Sequence, residues 1–243
     1  MRRFADEASH ELKTPLSLVR LHAEKMLGDG RLNVADAEAI VVQIEELARL
    51  NQIIDELLFL SRAEAAAISF DLQVQSPDRL LEGFRQDALV LAEHHGKRFS
   101  LVHEGVGWAA FEEKWLRQVL LNVLTNALNA SPPGGLISMR SVIDADRWRV
   151  SIADEGAGLT AAQRAHVFER FVRFNTPPGE DRGSGLGLAI CQSIIELHHG
   201  TIQAEPAVQT GGLRIVFMLP AAGASGTGGS GVAAKRHGAA ARV

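Results

Sequence analysis

Residues 4–16 read Phe4-Ala5-Asp6-Glu7-Ala8-Ser9-His10-Glu11-Leu12-Lys13-Thr14-Pro15-Leu16. From Leu12 onward, apolar side chains recur at Leu16, Val19, Ala23 and Met26, the alternating four-and-three spacing of one helix face. A second series, Ile40, Ile44, Leu47, Ile54 and Leu58, with Leu50, Ile53, Leu57 and Leu60 beside it, marks a second helix. Gly28-Asp29-Gly30 and a short polar turn separate the two. The second helix is apolar around too much of its circumference for one hairpin to bury. The expectation for 1–68 is therefore an α-helical hairpin that becomes a four-helix bundle when two chains pair.

The same helical geometry places His10. A helix turns about 100° per residue, so with Leu12 at zero its four successors fall within about 40° and His10 about 160° away. His10 is expected to face solvent, with Thr14 four residues on sharing its face. Pro15 removes one backbone hydrogen bond and frees the carbonyl of Glu11. A neutral imidazole is nucleophilic through one nitrogen while the other carries the proton, and the adjacent Glu11 carboxylate is placed to hold that proton.

Beyond the hairpin the pattern changes. Segments 70–75, 98–103, 136–143, 147–153, 200–205 and 213–219 alternate as strands, and 77–95, 113–130 and 185–198 read as helices. The expectation for 69–220 is an α/β two-layer sandwich with its own core. Residues 221–243 are Gly, Ala and Ser with three basic residues, the composition of a disordered tail.

Three strings in the α/β region suit a nucleotide. Asn122 and Asn126 stand four apart on one helix face, where amide oxygens can hold a hard cation such as Mg²⁺. Asp154-Glu155-Gly156-Ala157-Gly158 follows a strand. An aspartate there can accept from an adenine amino group, with glycines letting the backbone approach the base. Gly183-Ser184-Gly185-Leu186-Gly187-Leu188 opens a helix, where converging backbone N–H groups bind phosphate. No strand precedes this string and no acidic residue follows about 20 positions on, which disfavours a Rossmann site. No GxxxxGK[ST] string exists, which excludes a P-loop.

Composition narrows the classes further. The net charge of −4 gives no reason to expect nucleic acid or an anionic membrane surface as a partner. The single cysteine, Cys191, excludes an internal disulfide and a cysteine-based metal cluster. It is expected to be a buried filler in a reducing compartment. No apolar run is long enough to span a membrane, and residues 1–10 lack the apolar core of a signal peptide. His94, His95, His198 and His199 lack partners at metal-ligand spacing and are expected at the surface or at strand edges. Trp108, Trp115 and Trp148 are expected in the core or in domain packing.

Order and spacing make the set specific. Residues 4–16 resemble the H box of two-component sensor histidine kinases almost position by position. The strings at 122–127, 154–158 and 183–188 resemble the N box and the two glycine boxes of that family's ATPase domain. Val167-Phe168-Glu169-Arg170-Phe171 looks like its F box, and Thr210-Gly211-Gly212 through Pro220 like its final glycine motif and closing strand. The resemblance covers 4–220. It implies a Bergerat-type ATP-binding domain after the hairpin, with ATP and Mg²⁺ as cofactors. It also implies autophosphorylation on His10 assisted by Glu11, and transfer to an Asp of a response-regulator receiver domain. Thr14 would orient a water for the reverse, phosphatase reaction. Asn126 would be the leading Mg²⁺ ligand and Asn122 its helper. Asp154 would read adenine with Gly156 and Gly158, Arg170 would meet the γ-phosphate, and Gly183, Gly185, Leu186 and Gly187 would cradle the phosphates. Residues from about 170 to 184, with Pro177-Pro178-Gly179, would form the ATP lid. The resemblance further implies a homodimer and a cytoplasmic location, as itself or as the cytoplasmic portion of an inner-membrane sensor.

Two departures stand out. Many relatives carry Lys and Tyr where this chain has Asn129 and Ala130, which removes one cation near the phosphates. The chain also starts nine residues before His10, where relatives have more helix and usually a membrane sensor. The expectation is a fragment or an unusually short gene product. Two rival readings are an ATPase of the same superfamily without phosphotransfer, and a degenerate, non-catalytic dimeric scaffold.

Overall fold

A computed structural model describes residues 2–29, 32–174 and 183–222, with side chains from Lys13 onward. The first two elements are α1 (Arg2–Gly28), which contains Pro15, and α2 (Val34–Glu64). Asn33 starts α2 by accepting from the backbone N–H of Asp36 at 2.9 Å, which satisfies one first-turn amide. Across the hairpin Lys13 pairs with Asp55, and Ala23 and Ile40 are buried. The expected seam is only partly covered: Val19 is 53% and Met26 51% exposed, and Val41, Val42 and Leu50 of α2 are exposed too. α1 packs on α2, and α2 also packs on α6, but these neighbours cover only part of the apolar circumference of either helix.

The remaining elements are β1 (Gln73–Gln75), α3 (Asp78–His94), β2 (Arg98–Glu104), β3 (Trp108–Phe111), α4 (Glu113–Ala130), β4 (Leu136–Ile143), β5 (Arg147–Ala153), α5 (Ala161–His166), α6 (Gly187–Leu197), β6 (Thr201–Pro206) and β7 (Leu213–Ala222). They form one seven-stranded sheet in the order β1-β3-β7-β5-β4-β2, with β6 also on β7. Among the described strands only β2 and β4 pair in parallel, and the chain between them carries α4 as its crossover helix. The helices α3, α4 and α6 bury Phe84, Leu120, Leu124 and Ile194 with Ile137, Trp148 and Phe217 of the sheet in one cluster. Trp148 is fully buried, and its indole N–H donates to Ser141 Oγ at 2.9 Å, so burial leaves no orphan polar atom on the ring.

The hairpin and the sheet domain share packing. Leu60 of α2 joins the core, and Phe59 and Phe70 both lie against Trp115, with ring centroids 4.9 and 5.2 Å away. Four expectations change here. Residues 70–72 are not strand: Phe70 packs on Trp115 and His198, and Asp71 N–H donates to the Glu112 carboxylate instead of a sheet neighbour. Trp108 is 48% exposed: it is the first residue of the short strand β3, whose burial alternates so that Ala109 and Phe111 face the core instead. His198 is buried, not superficial. Its Nδ1–H donates to Ile194 O at 2.7 Å and its Nε2 accepts from Glu112 N–H at 3.1 Å, and burial lowers its pKa. Ala221 and Ala222, assigned to the tail, finish β7 opposite Ala109 and Trp108, while the tail from 223 lies outside the described residues. Cys191 is a filler as expected: it is fully buried and burial pushes its thiol up to about 12.

Candidate functional site

The three strings expected to bind nucleotide come from distant parts of the chain and meet along the second half of α4. Asn122 is half-buried, and its amide nitrogen donates to Gly187 O at 3.3 Å, so α4 touches the loop that opens α6. That use of the nitrogen leaves the amide oxygen as an acceptor. Asn126 and Asn129, further along α4, are exposed. Past the end of α4, Ser131 Oγ accepts from Glu155 N–H at 3.3 Å, which ties the helix to the string after β5.

Asp154 sits at the end of β5 and is 5% exposed. Its Oδ1 accepts from the backbone N–H of Gly156 at 2.9 Å and of Leu213 at 3.0 Å, while its carbonyl accepts from Thr210 Oγ1 at 2.8 Å. The second carboxylate oxygen makes no hydrogen bond among the described residues, which leaves it for a ligand donor. Burial raises the pKa of this carboxyl, and the two backbone amides partly oppose the rise. Gly212 is required beside it, since a Cβ there would collide with Asp154 O and Oδ1. The sequence grouped Gly212 with a closing motif but gave no reason for the residue. The reason is this close approach.

The loop before α6 is held from the F-box side. Phe171 N–H donates to Gly185 O at 3.0 Å, and both residues have positive φ, 62° and 71°. A Cβ at Gly185 would lie 2.9 Å from Phe171 Cα, so only glycine fits. Gly183, Gly185 and Leu186 lead directly into α6, Leu186 fully buried, and Gly156 and Gly158 lie in the loop after β5. Residues 175–182, the centre of the expected lid, lie outside the described residues.

Other expected site residues stand elsewhere. Arg170 pairs with Glu64 of α2. Thr14 is exposed on α1. His10 and Glu11 lie within α1, but their side chains, and so the expected solvent face of His10, are outside the described residues. Two residues of α2 entered the site unannounced: Glu64 at Arg170, and Glu56, whose Oε2 accepts from Ser184 Oγ at 2.6 Å. No local signal marks them, because their partners are 106 and 128 positions away.

Residues 1–66 match the family model for the His Kinase A (phospho-acceptor) domain, and residues 111–223 that for the histidine kinase-, DNA gyrase B- and HSP90-like ATPases. The chain is 34% identical over 213 residues to the sensor histidine kinase TrcS of Mycobacterium tuberculosis, covering 84% of this chain and 41% of that protein. It is 33% identical over 234 residues to the histidine-protein kinase/phosphatase MprB of a Mycobacterium species, covering 90% and 43%. The crystal structure of full-length ShkA in complex with AMPPNP superposes with a TM-score of 0.77 at 27% identity, over 91% of this chain and 46% of that one. The chain thus spans about half the length of the curated relatives it matches, and no helix among its described residues is long and apolar enough to cross a membrane. With the phospho-acceptor model matching its helical hairpin, the ATPase model matching its α/β domain and sensor kinases among its relatives, the chain belongs to the two-component sensor histidine kinases.

Proposed function

We propose that this chain binds Mg·ATP in its α/β domain, phosphorylates His10 and passes the phosphoryl group to an aspartate of a response-regulator receiver domain. The observation that carries the reading is that α4 meets the loop opening α6 at Asn122–Gly187 and the Asp154 loop at Ser131–Glu155, with Gly212 against Asp154, in a chain that also holds the H-box helix. Asp154 supplies a carboxylate oxygen to the adenine amino group. The loop from Gly183 to Gly187 offers backbone N–H groups to the phosphates. The amide oxygens of Asn126 and Asn122 suit a hard cation, which would neutralise phosphate charge when bound. One nitrogen of His10 attacks the γ-phosphorus as the bond to the bridging oxygen breaks, and ADP leaves. Glu11 holds the proton on the other ring nitrogen, so the ring stays nucleophilic and its developing charge is met. The phosphoramidate formed is labile enough to pass on. Thr14, one helical turn after His10, serves the reverse hydrolysis of the regulator. A second copy of the chain covers the exposed apolar side chains of α1 and α2, completing a four-helix bundle.

The test is to incubate the full chain with γ-labelled ATP and magnesium. Covalent label that is lost in acid and kept in base supports the proposal, whereas acid-stable label, or nucleotide binding without label, contradicts it.

Two further outcomes follow from the site. Adenosine affinity should fall as pH drops, starting at higher pH than an exposed aspartate would give. The folded carboxyl of Asp154 has its pKa raised by burial, so the acceptor is lost to protonation early. The sign for stability is opposite. A raised folded pKa gives a contribution fully present below the unfolded pKa and lost as pH rises through the folded one. Adenosine is the probe because it carries no phosphate to titrate, and pH-independent affinity would show that the base is read elsewhere.

Asn129 is exposed three residues after Asn126. Asn129→Lys should therefore tighten ATP about two- to fivefold, as one added exposed cation does. It should also partly rescue Arg170→Ala in a double-mutant cycle of ATP affinities. Strict additivity, or weaker binding by Asn129→Lys, would show that position 129 does not face the phosphates.

A further inference from the structure

Two carboxylates of α2 rest on the groups that flank the α6 loop. Ser184 Oγ donates to Glu56 Oε2 at 2.6 Å and accepts from Leu186 N–H at 3.2 Å, so Glu56 grips the loop through a residue folded back on its own backbone. Arg170, just ahead of the Phe171 that ties to Gly185, pairs with Glu64. Glu56 and Glu64 lie about two turns apart on one helix, so a single rigid element presents both anions. A carboxylate and a phosphate make the same demand on a site: oxygen anions that accept from guanidinium, hydroxyl and backbone N–H groups.

We propose that Glu56 and Glu64 form an internal latch. They engage Ser184 and Arg170 in place of a nucleotide's phosphates, hold the ATP-binding domain against α2, and are displaced when the triphosphate binds. This rests on the reading that Arg170 and the loop from Gly183 to Gly187 receive phosphate.

The latch is built to yield. The Arg170 and Glu64 side chains are 36% and 67% exposed, so solvent screens their attraction. By reciprocity, whatever weakens the grip of α2 strengthens triphosphate binding, and triphosphate binding loosens the domain from α2. The position of the latch also matters. Lys13, three residues after His10, pairs with Asp55, the neighbour of Glu56 in sequence. The latch therefore sits beside the part of the hairpin that carries the phosphoacceptor. Movement of α2 relative to α1 would be felt directly at the phosphate-binding loop.

The test compares ATP and adenosine affinities by calorimetry for the full chain, the double variant Glu56→Gln/Glu64→Gln, and Arg170→Ala. Glutamine keeps the shape of each side chain and removes its charge. The double variant should bind ATP about two- to tenfold tighter, with adenosine unchanged, because only the phosphates compete with the carboxylates. Arg170→Ala should weaken ATP and leave adenosine alone. If the double variant binds ATP no tighter while Arg170→Ala still weakens it, the latch is overturned and the phosphate reading stands. Equal tightening of ATP and adenosine would also overturn the competition. If Arg170→Ala leaves ATP affinity unchanged, the phosphate reading fails and takes the latch with it.

Discussion

His10→Gln should abolish covalent labelling by ATP, a fall of at least about a thousandfold, while ATP affinity stays at its wild-type value. Glutamine preserves helix propensity, so α1 should persist. Its amide nitrogen has a delocalised lone pair and cannot attack phosphorus. His10 lies on α1, whereas every nucleotide string lies between Asn122 and Leu213 on other elements, so removing the imidazole takes nothing from the ATP pocket. Calorimetry and label incorporation on the same preparation separate the two properties. Label that persists would place the acceptor on another residue, and lost ATP binding would mean that His10 contributes to the pocket.

Asp154→Asn should weaken ATP about tenfold to a hundredfold, the worth of one hydrogen bond to a charged acceptor, with little change in thermal midpoint. The choice of asparagine comes from the geometry. Asp154 Oδ1 holds the backbone amides of Gly156 and Leu213, and an asparagine carbonyl oxygen can keep both. The new amide nitrogen then faces a donor where an acceptor is needed. Asp154→Ala is a less clean test. It would strand two amides beside a buried carboxyl position, at roughly 1–3 kcal/mol each, so weakened binding would be mixed with lost stability. Unchanged affinity for Asp154→Asn would mean that adenine is read by another group.

The elements legible in the sequence are those whose periodicity is long and whose partners are local. The series from Leu12 to Met26 and from Ile40 to Leu60 fell on α1 and α2, and 113–130 matched α4 to the residue. Short elements with distant partners were not legible. β3 has four residues behind Gly105-Val106-Gly107, and it is held by Gln73–Gln75 on one side and Ala221-Ala222 on the other. α5 has six residues, and its clearest sequence signal is the Thr160–Gln163 capping box. Burial of single polar residues also escaped. His198 reads as one of a surface pair, yet it bridges α6 and the Glu112 backbone.

The site divides the same way. Asp154, Asn122 and the glycines stand in strings whose order is itself the signal. Glu56 and Glu64 sit on a helix with many other charges, and only the folding of α2 against α6 brings them to Ser184 and Arg170.

The most direct measurement digests the chain after labelling with γ-labelled ATP and identifies the modified residue, under basic conditions that preserve a phosphoramidate. The predicted result is a single label on a nitrogen of His10. Label on Thr14, on any serine or on a carboxylate, or label confined to another histidine such as His22, would contradict phosphoryl transfer to His10.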